Sequence, residues 1–480
     1  MNIIESLVRG TLIRIQKFIN TVVPAHTTDV VCVNKSTGVL STATANQMSN
    51  AGLRLNTAVI ETLTGTNYAP YIYAITLGFP TSRNGVLTPV NTAGVTVERY
   101  DLVGGGLVTI TQSNLVGVSG SYSPSTMASL TTLSAPLLAY VGGSYNPGTM
   151  ASLTTLSTPL LAYVGIVYAP RTMASLTTLS APLLAYVGGQ YNPGTMASLT
   201  TLSTPLLAYV GSSYAPTQMA ALTTLSAPVL AYVGGSYNPD IMAALTTLSI
   251  PALAYVSSSF NPSTMASLTT LSAPLLAYVG GDYTPNVMAA LTTLSAPLLA
   301  YVGGTYQPNT MASLTTLSAP LLAYVGVNYA PNTMASLTTI SLPALTSVGV
   351  NISRTSFTLG RIAPATMAAL TSLTFPVIEV IGSTASISVN IISGTAALST
   401  FTLGNTLRLV NGNVIMTSCA LTQTSVDNLL VRLAALDGTG LTTAYSTKTV
   451  TITGTSATPS ATGLAAKAIL VARGCTVTHL

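Results

Sequence analysis

A unit of 23 residues recurs along the middle of this chain, and no other feature limits its fold so tightly. Met127, Met150, Met173, Met196, Met219, Met242, Met265, Met288, Met311 and Met334 keep that spacing, as do the prolines from Pro136 to Pro343. A further copy, with Met367 and Pro376, follows a ten-residue insertion. One unit, Thr126 to Gly148, reads TMASLTTLSAPLLAYVGGSYNPG. So short a unit cannot bury its own apolar face, so the copies must stack around one continuous core.

The pattern within the unit is Leu130-x-x-Leu133-x-Ala135-Pro136-x-Leu138-x-x-Val141-Gly142. Alternation predicts a short strand with Leu133 and Ala135 inward and Thr132 and Ser134 outward. Pro136 lacks the amide hydrogen that a ladder needs, so it ends the strand. Leu138 and Val141 turn a second segment inward. The Gly142-Gly143 and Asn146-Pro147 pairs mark a turn, and Met127 opens the next inward stretch. Stacked strands lie about 4.8 Å apart, so about eleven copies give a segment roughly 50 Å long.

The variant copies LTTISLPALTSVG (Leu337 to Gly349) and LTSLTFPVIEVIG (Leu370 to Gly382) carry a family resemblance. They resemble leucine-rich repeats of the bacterial-surface-antigen, BspA-like type, whose unit is similar to LxxLxLPxLxxIG with the same period. The resemblance spans Tyr122 to Gly382. It implies a β-rich solenoid, a right-handed leucine-rich-repeat superhelix of 23-residue coils. The chain departs from that family in having Tyr145 and Asn146-Pro147 after the Val-Gly, and no cysteine in the unit.

Composition excludes several classes. The 480 residues are 48 % hydrophobic and only 5 % charged. No run of about 18 apolar residues offers a membrane span, because Ser and Thr interrupt every stretch. The apolar content is too high for a disordered chain. A net charge of +5 without basic clusters does not point to nucleic acid. Cys32, Cys419 and Cys475 fit neither a disulfide scaffold nor a metal motif, and His26 and His479 lie near opposite ends. No catalytic, cofactor-binding or metal site is expected. Asp240 and Asp282 read as solvated turn residues rather than an acid–base pair.

Comparison of the copies with one another separates constant from variable positions. From Tyr122 to Val350 the charged residues are Arg171, Asp240 and Asp282, all in the turn between Val-Gly and Met, where Gln190 and Asn328 also vary. Two aromatic ladders run along the copies. One comprises Tyr140, Tyr163, Tyr186, Tyr209, Tyr232, Tyr255, Tyr278, Tyr301 and Tyr324; the other runs from Tyr122 and Tyr145 to Tyr329, with Phe260 as its single departure. That Phe makes the hydroxyl dispensable, so the second ladder is read as packed. The first is read as outward, beside a row of Leu, Val or Ala that includes Leu137, Leu160, Leu183 and Leu206. Three roles stay open for this stripe: internal stacking, contact with another subunit, or carbohydrate stacking. The rows headed by Thr132 and Ser134 keep the β-face wet, and ice binding is an alternative for them.

The ends differ from the repeats. Residues 1–120 read as an α+β attachment domain, 121–382 as the solenoid, and 383–480 as a β/α cap. A helix is expected over residues 2–20, packed on protein or lying on a membrane surface, and another around Ala43 to Thr62. Strands are expected at Asp29 to Asn34, Tyr71 to Phe79, Gly94 to Tyr100 and Gly106 to Gln112. In the last part, strands near Val414, Thr449 and Cys475 alternate with helices through Val426 and from Ala461. These C-terminal segments resemble those of repeat proteins of tailed-phage virions. Charges at Glu5, Arg9, Arg14 and Lys17 argue against a secretion signal. The resulting expectation is a non-enzymatic structural protein of a virion or extracellular assembly, self-packing through the stripe as a homo-oligomer. It would touch other virion proteins through residues 1–120. The alternative is an adhesin that recognises a host surface protein or glycan.

Overall fold

The computed structural model describes residues 29–33, 40–44, 71–78, 86–87, 95–103, 109–112, 115–124, 126–349, 367–382, 389–393 and 395–479. The helix expected over residues 2–20 lies outside them. Of the one expected around Ala43 to Thr62, only Ala43 and Thr44 are described, and they end a strand, Leu40–Thr44. The chain is a parallel β-solenoid of about 15 turns of about 23 residues with few helices. It divides into two units, Met1–Leu245 and Thr246–Leu480.

Each regular coil makes two short strands. In the first unit Thr132–Ser134 pairs in parallel and in register with Thr155–Ser157, and Tyr140–Val141 with Tyr163–Val164. In the second unit Thr247–Ser249 pairs with Thr270–Ser272, and Tyr255–Val256 with Tyr278–Val279. A third line of contact joins Tyr122, Tyr145, Tyr168 and Tyr191 as successive single bridges. Met127, Leu130, Leu133, Ala135, Leu138, Val141 and Tyr145 are all buried and fill one layer of the core. The inward set is thus the one the alternation predicts, and the first strand stops before Pro136.

Hydroxyls reinforce the stack. The first Thr of each TTLS segment reaches the coil before it: Thr154 Oγ1 donates to Thr131 O at 3.2 Å, and Thr200 and Thr223 repeat the contact. Glycine recurs after the Tyr-Val strand because the coils touch there. A Cβ on Gly211 would lie 2.0 Å from the carbonyl oxygen of Gly188.

The turn before each Met exists in two forms. Gln218, Ile241, Thr264, Val287, Thr310 and Thr333 have φ of 54–57°, the left-handed region, whereas Thr149, Thr172 and Thr195 in the same position do not. The preceding residue separates the two. It is Thr217, Asp240, Ser263, Asn286, Asn309 or Asn332 in the left-handed turns, and Gly148, Arg171 or Gly194 in the others. Short polar side chains bond to nearby backbone and favour such conformations. Asp240 Oδ1 accepts from Ile241 N, and Asn286 Oδ1 from Val287 N, each at 2.9 Å.

Pairing continues beyond the recognisable repeat at both ends. Thr109–Thr111 pairs with Thr132–Ser134, and Leu115–Val118 with Tyr140–Val141. Further back, Tyr71–Gly78 pairs in parallel with Val95–Val103. In the second unit Ser372–Phe375 pairs with Thr400–Leu403, and Val380–Ile381 with Leu409–Val410. A helix, α1 (Gln423–Ala434, with Thr422 as N-cap), then covers the Thr400–Leu403 strand. Ser425 Oγ accepts from Phe401 N at 3.1 Å and Asn428 Oδ1 from Leu403 N at 3.0 Å, so side chains of α1 take up amides that a further strand would have bonded. Strands Val389–Ser393, Val414–Cys419, Thr449–Gly454 and Thr476–His479 form a parallel sheet, with α2 (Ala461–Ala472) before the last. Cys419 and Cys475 are free, buried thiols.

Candidate functional site

The two aromatic ladders are stacked but differ in exposure. In the inner one, Tyr122 and Tyr145 lie 5.2 Å apart between centroids at 5°, and Tyr168 and Tyr191 5.1 Å apart at 2°. All of these rings are buried. Burial pushes the Tyr168 and Tyr191 phenols well above their ordinary pKa, with further increments from neighbouring phenols. Phe260 occupies the same slot and stacks on Tyr283 at 5.1 Å.

The outer ladder is half-buried. Tyr186 and Tyr209, and Tyr209 and Tyr232, stack at 4.9 and 5.0 Å and 2°. In the second unit Tyr255, Tyr278, Tyr301 and Tyr324 do so at 4.7–4.8 Å. Tyr140 departs from this pattern: it is buried, and it meets Tyr163 at 6.1 Å and 32°. Three residues before each ring comes the aliphatic row. Leu137, Leu160, Leu206 and Val229 are 39–41 % exposed, Leu183 is half-buried, and in the second unit Leu275, Leu298 and Leu321 are exposed. The stripe read from the sequence is therefore present on each unit.

The variable turn residues fall in two columns. Gln190, Asp282 and Asn328 each precede an inner-ladder tyrosine. Arg171 and Asp240 each follow the turn proline. The first column caps backbone: Ser121 and Ser213 Oγ accept amides of the next coil, and Asp282 Oδ1 accepts from Thr305 N at 2.8 Å. Asp282 and Asp240 both serve such turn bonds.

Arg171 and Gln190 share a groove of about 490 Å³ in the first unit, lined also by Ser144, Asn146, Val167, Ala169, Asn192, Gly194, Thr195, Thr217 and Gln218. Small residues make the hollow. Ala169 sits between Asn146 and Asn192 in one column, and Arg171 between Gly148 and Gly194 in another. Arg171 Nε donates to Asn146 Oδ1 at 2.9 Å. Thr195 Oγ1 donates to Gln218 Oε1 at the far wall. The floor is fixed by inter-coil bonds, with Ala169 N on Tyr145 O and Asn192 N on Tyr168 O, both 2.8 Å.

No family model matches this chain, no curated protein matches it, and no solved structure does. Its function is read from these surfaces. Among the described residues no His, Cys, Asp and Glu side chains group around a metal position, and no helix is long and apolar enough to cross a membrane. The Thr and Ser hydroxyls of the TLS strands face outward, with Thr155, Thr178 and Ser180 exposed. The sequence had singled out Arg171 and Gln190 as variable. That Asn146 and Asn192 join them is signalled only by the Asn-Ala-Asn and Gly-Arg-Gly alternation down the 23-residue columns, and nothing in the sequence marks Gln218.

Proposed function

We propose that the chain is a non-enzymatic structural protein of a virion or extracellular assembly, packing against sister copies through the Leu–Tyr stripe. The observation that carries this reading is the row of exposed Leu137, Leu160, Leu206 and Val229 beside the half-buried Tyr163–Tyr232 stack. Soluble monomers rarely leave contiguous apolar patches of more than a few hundred Å² uncovered. No charged side chain stands in either column of the regular copies, so a partner settling on the stripe desolvates no ion. A second copy fits best because its rungs repeat at the same spacing, so each Leu–Tyr rung can meet another in register. The particle setting follows from the resemblance of the C-terminal segments to phage repeat proteins and from the leucine-rich-repeat likeness of the units.

Sedimentation velocity tests this reading. The native chain should sediment as an oligomer, and the double variant Tyr209→Lys, Tyr232→Lys as a monomer with an unchanged β-rich circular dichroism spectrum. A native chain that stays monomeric at high concentration overturns it.

A further inference from the structure

We infer that the groove around Arg171 binds a sugar residue that bears a carboxylate, a uronate or a sialate, within a saccharide. This does not rest on the assembly reading, since the groove lies in the turn columns and the stripe in the Leu–Tyr columns. The groove's volume, about 490 Å³, is that of a small-molecule site. Its walls carry the amides of Asn146, Gln190, Asn192 and Gln218 and the hydroxyls of Thr195 and Thr217. Amides and hydroxyls both donate and accept, which suits the paired hydroxyls of a sugar ring. A deep apolar pocket, which a peptide side chain would need, is missing from the lining; Val167 and Ala169 give only a shallow floor.

The guanidinium supplies the choice of charge. Arg171 is the one ion in the lining, and no carboxylate there neutralises it. Its Nε is engaged by Asn146, which orients the plane. The four N–H groups on its two Nη atoms have no protein partner among the described residues, and this planar fork matches a carboxylate with two parallel bonds. Gly148 and Gly194 keep the space on either side of it clear. The floor is a hydrogen-bonded ladder over stacked tyrosines, so the site is formed before the ligand arrives and little ordering cost is left.

Titration calorimetry on the full chain tests this. Trigalacturonate and sialyllactose are the acidic probes; lactose and fully methyl-esterified trigalacturonate are the neutral ones. At least one acidic probe should bind, and which one binds identifies the source of the carboxylate. The neutral probes should bind about tenfold or more weakly, the loss expected for one charge-assisted bond pair. Arg171→Gln, at an exposed turn position, should lose the same factor with the circular dichroism spectrum unchanged. Gly194→Leu should abolish binding by filling the groove; the atoms nearest its Cβ belong to the Arg171 backbone, at 3.4 Å or beyond. In the native chain, affinity should fall as salt rises. No binding of either acidic probe, equal binding of the neutral ones, or full affinity in Arg171→Gln or Gly194→Leu overturns the inference.

Discussion

Tyr186 and Tyr209 stack with ring centroids 4.9 Å apart and planes 2° from parallel, and each phenol is held above its ordinary pKa by partial burial and then by a neighbouring phenol. Tyr140, at the start of the ladder, is pushed from 10.0 up to about 12 by the same two causes. A phenol whose pKa is higher in the folded chain keeps its proton more tightly there than in the unfolded chain. The stabilisation carried by these raised phenols is therefore complete below pH about 10 and is lost as pH climbs through their folded values. Thermal unfolding followed across pH 9 to pH 12, about the range set by an ordinary tyrosine and these raised ones, should show a falling melting temperature above about pH 10. Phenolate absorbance should rise together with loss of the β signal. Titration of Tyr140, Tyr186 and Tyr209 near pH 10 in an intact solenoid would contradict their burial in the stack.

Tyr329 tests the inner ladder differently. Its ring is fully buried, and its hydroxyl has no hydrogen-bond partner among the described residues. Burying a hydroxyl without a bond costs about 1–3 kcal/mol. Phe260 shows that the slot accepts a ring with no hydroxyl. Tyr329→Phe should therefore raise the denaturant midpoint, by the equivalent of about 1 kcal/mol. A lower midpoint would show that the hydroxyl is bonded in solution.

The repeating core was legible because ten copies restate one inward pattern, so Met127, Leu130, Leu133, Leu138 and Val141 stand out against changing turns. The flanking coils were not. Ile110 sits across from Leu133, and Phe401 across from Leu373, without the Leu-x-x-Leu-x-Ala-Pro signature around them. A strand in a stack needs only an inward apolar residue and free backbone groups, and neighbours supply the rest. The Arg171 groove escaped notice for another reason. It is made by what Ala169 and Gly194 lack, and a missing side chain shows in the sequence only as a small residue in a column, with nothing to say that two such columns border one hollow. The two turn forms were within reach, since Gly148, Arg171 and Gly194 against Asn286 and Asn309 separates them.

Those turn forms give a paired prediction. Val287 is β-branched and exposed at φ 54°, where an L side chain costs about 1–2 kcal/mol and glycine costs none. Val287→Gly relieves that strain, against a loss of about 0.4–1 kcal/mol from the greater freedom of the unfolded chain. The net effect should be a small gain in stability. Thr149→Gly, in a turn of the other form, recovers no strain and should only lose stability. Guanidinium melts of the two variants, measured against the native chain, should move in opposite directions. Movement of both midpoints downward would remove the distinction between the turns.

Arg473 anchors the last two helices to each other. It is the C-cap of α2, and its Nη1 donates to the carbonyls of Ala434 at 2.9 Å and Leu436 at 2.8 Å, at the end of α1. These carbonyls lack helical partners, and a cation is favoured at a helix C-terminus, where they carry partial negative charge. Arg473→Met keeps the length and the apolar stem but removes both of these bonds, leaving Leu436 O with only Tyr445 N, at 2.9 Å, and Ala434 O without the cation. Hydrogen bonds to a charged group contribute about 1.5–3 kcal/mol each, so the loss should be at least of that size. Amide exchange should rise by about tenfold or more in α1, α2 and Thr476–His479, and stay unchanged in the coils of Thr247 to Val325, if the end opens as a local unit. Arg473→Lys should recover part of the protection, since one ammonium can reach the carbonyls without the guanidinium's planar fork. Exchange that rises equally throughout the second unit would show instead that α1 and α2 melt only with the solenoid they cover.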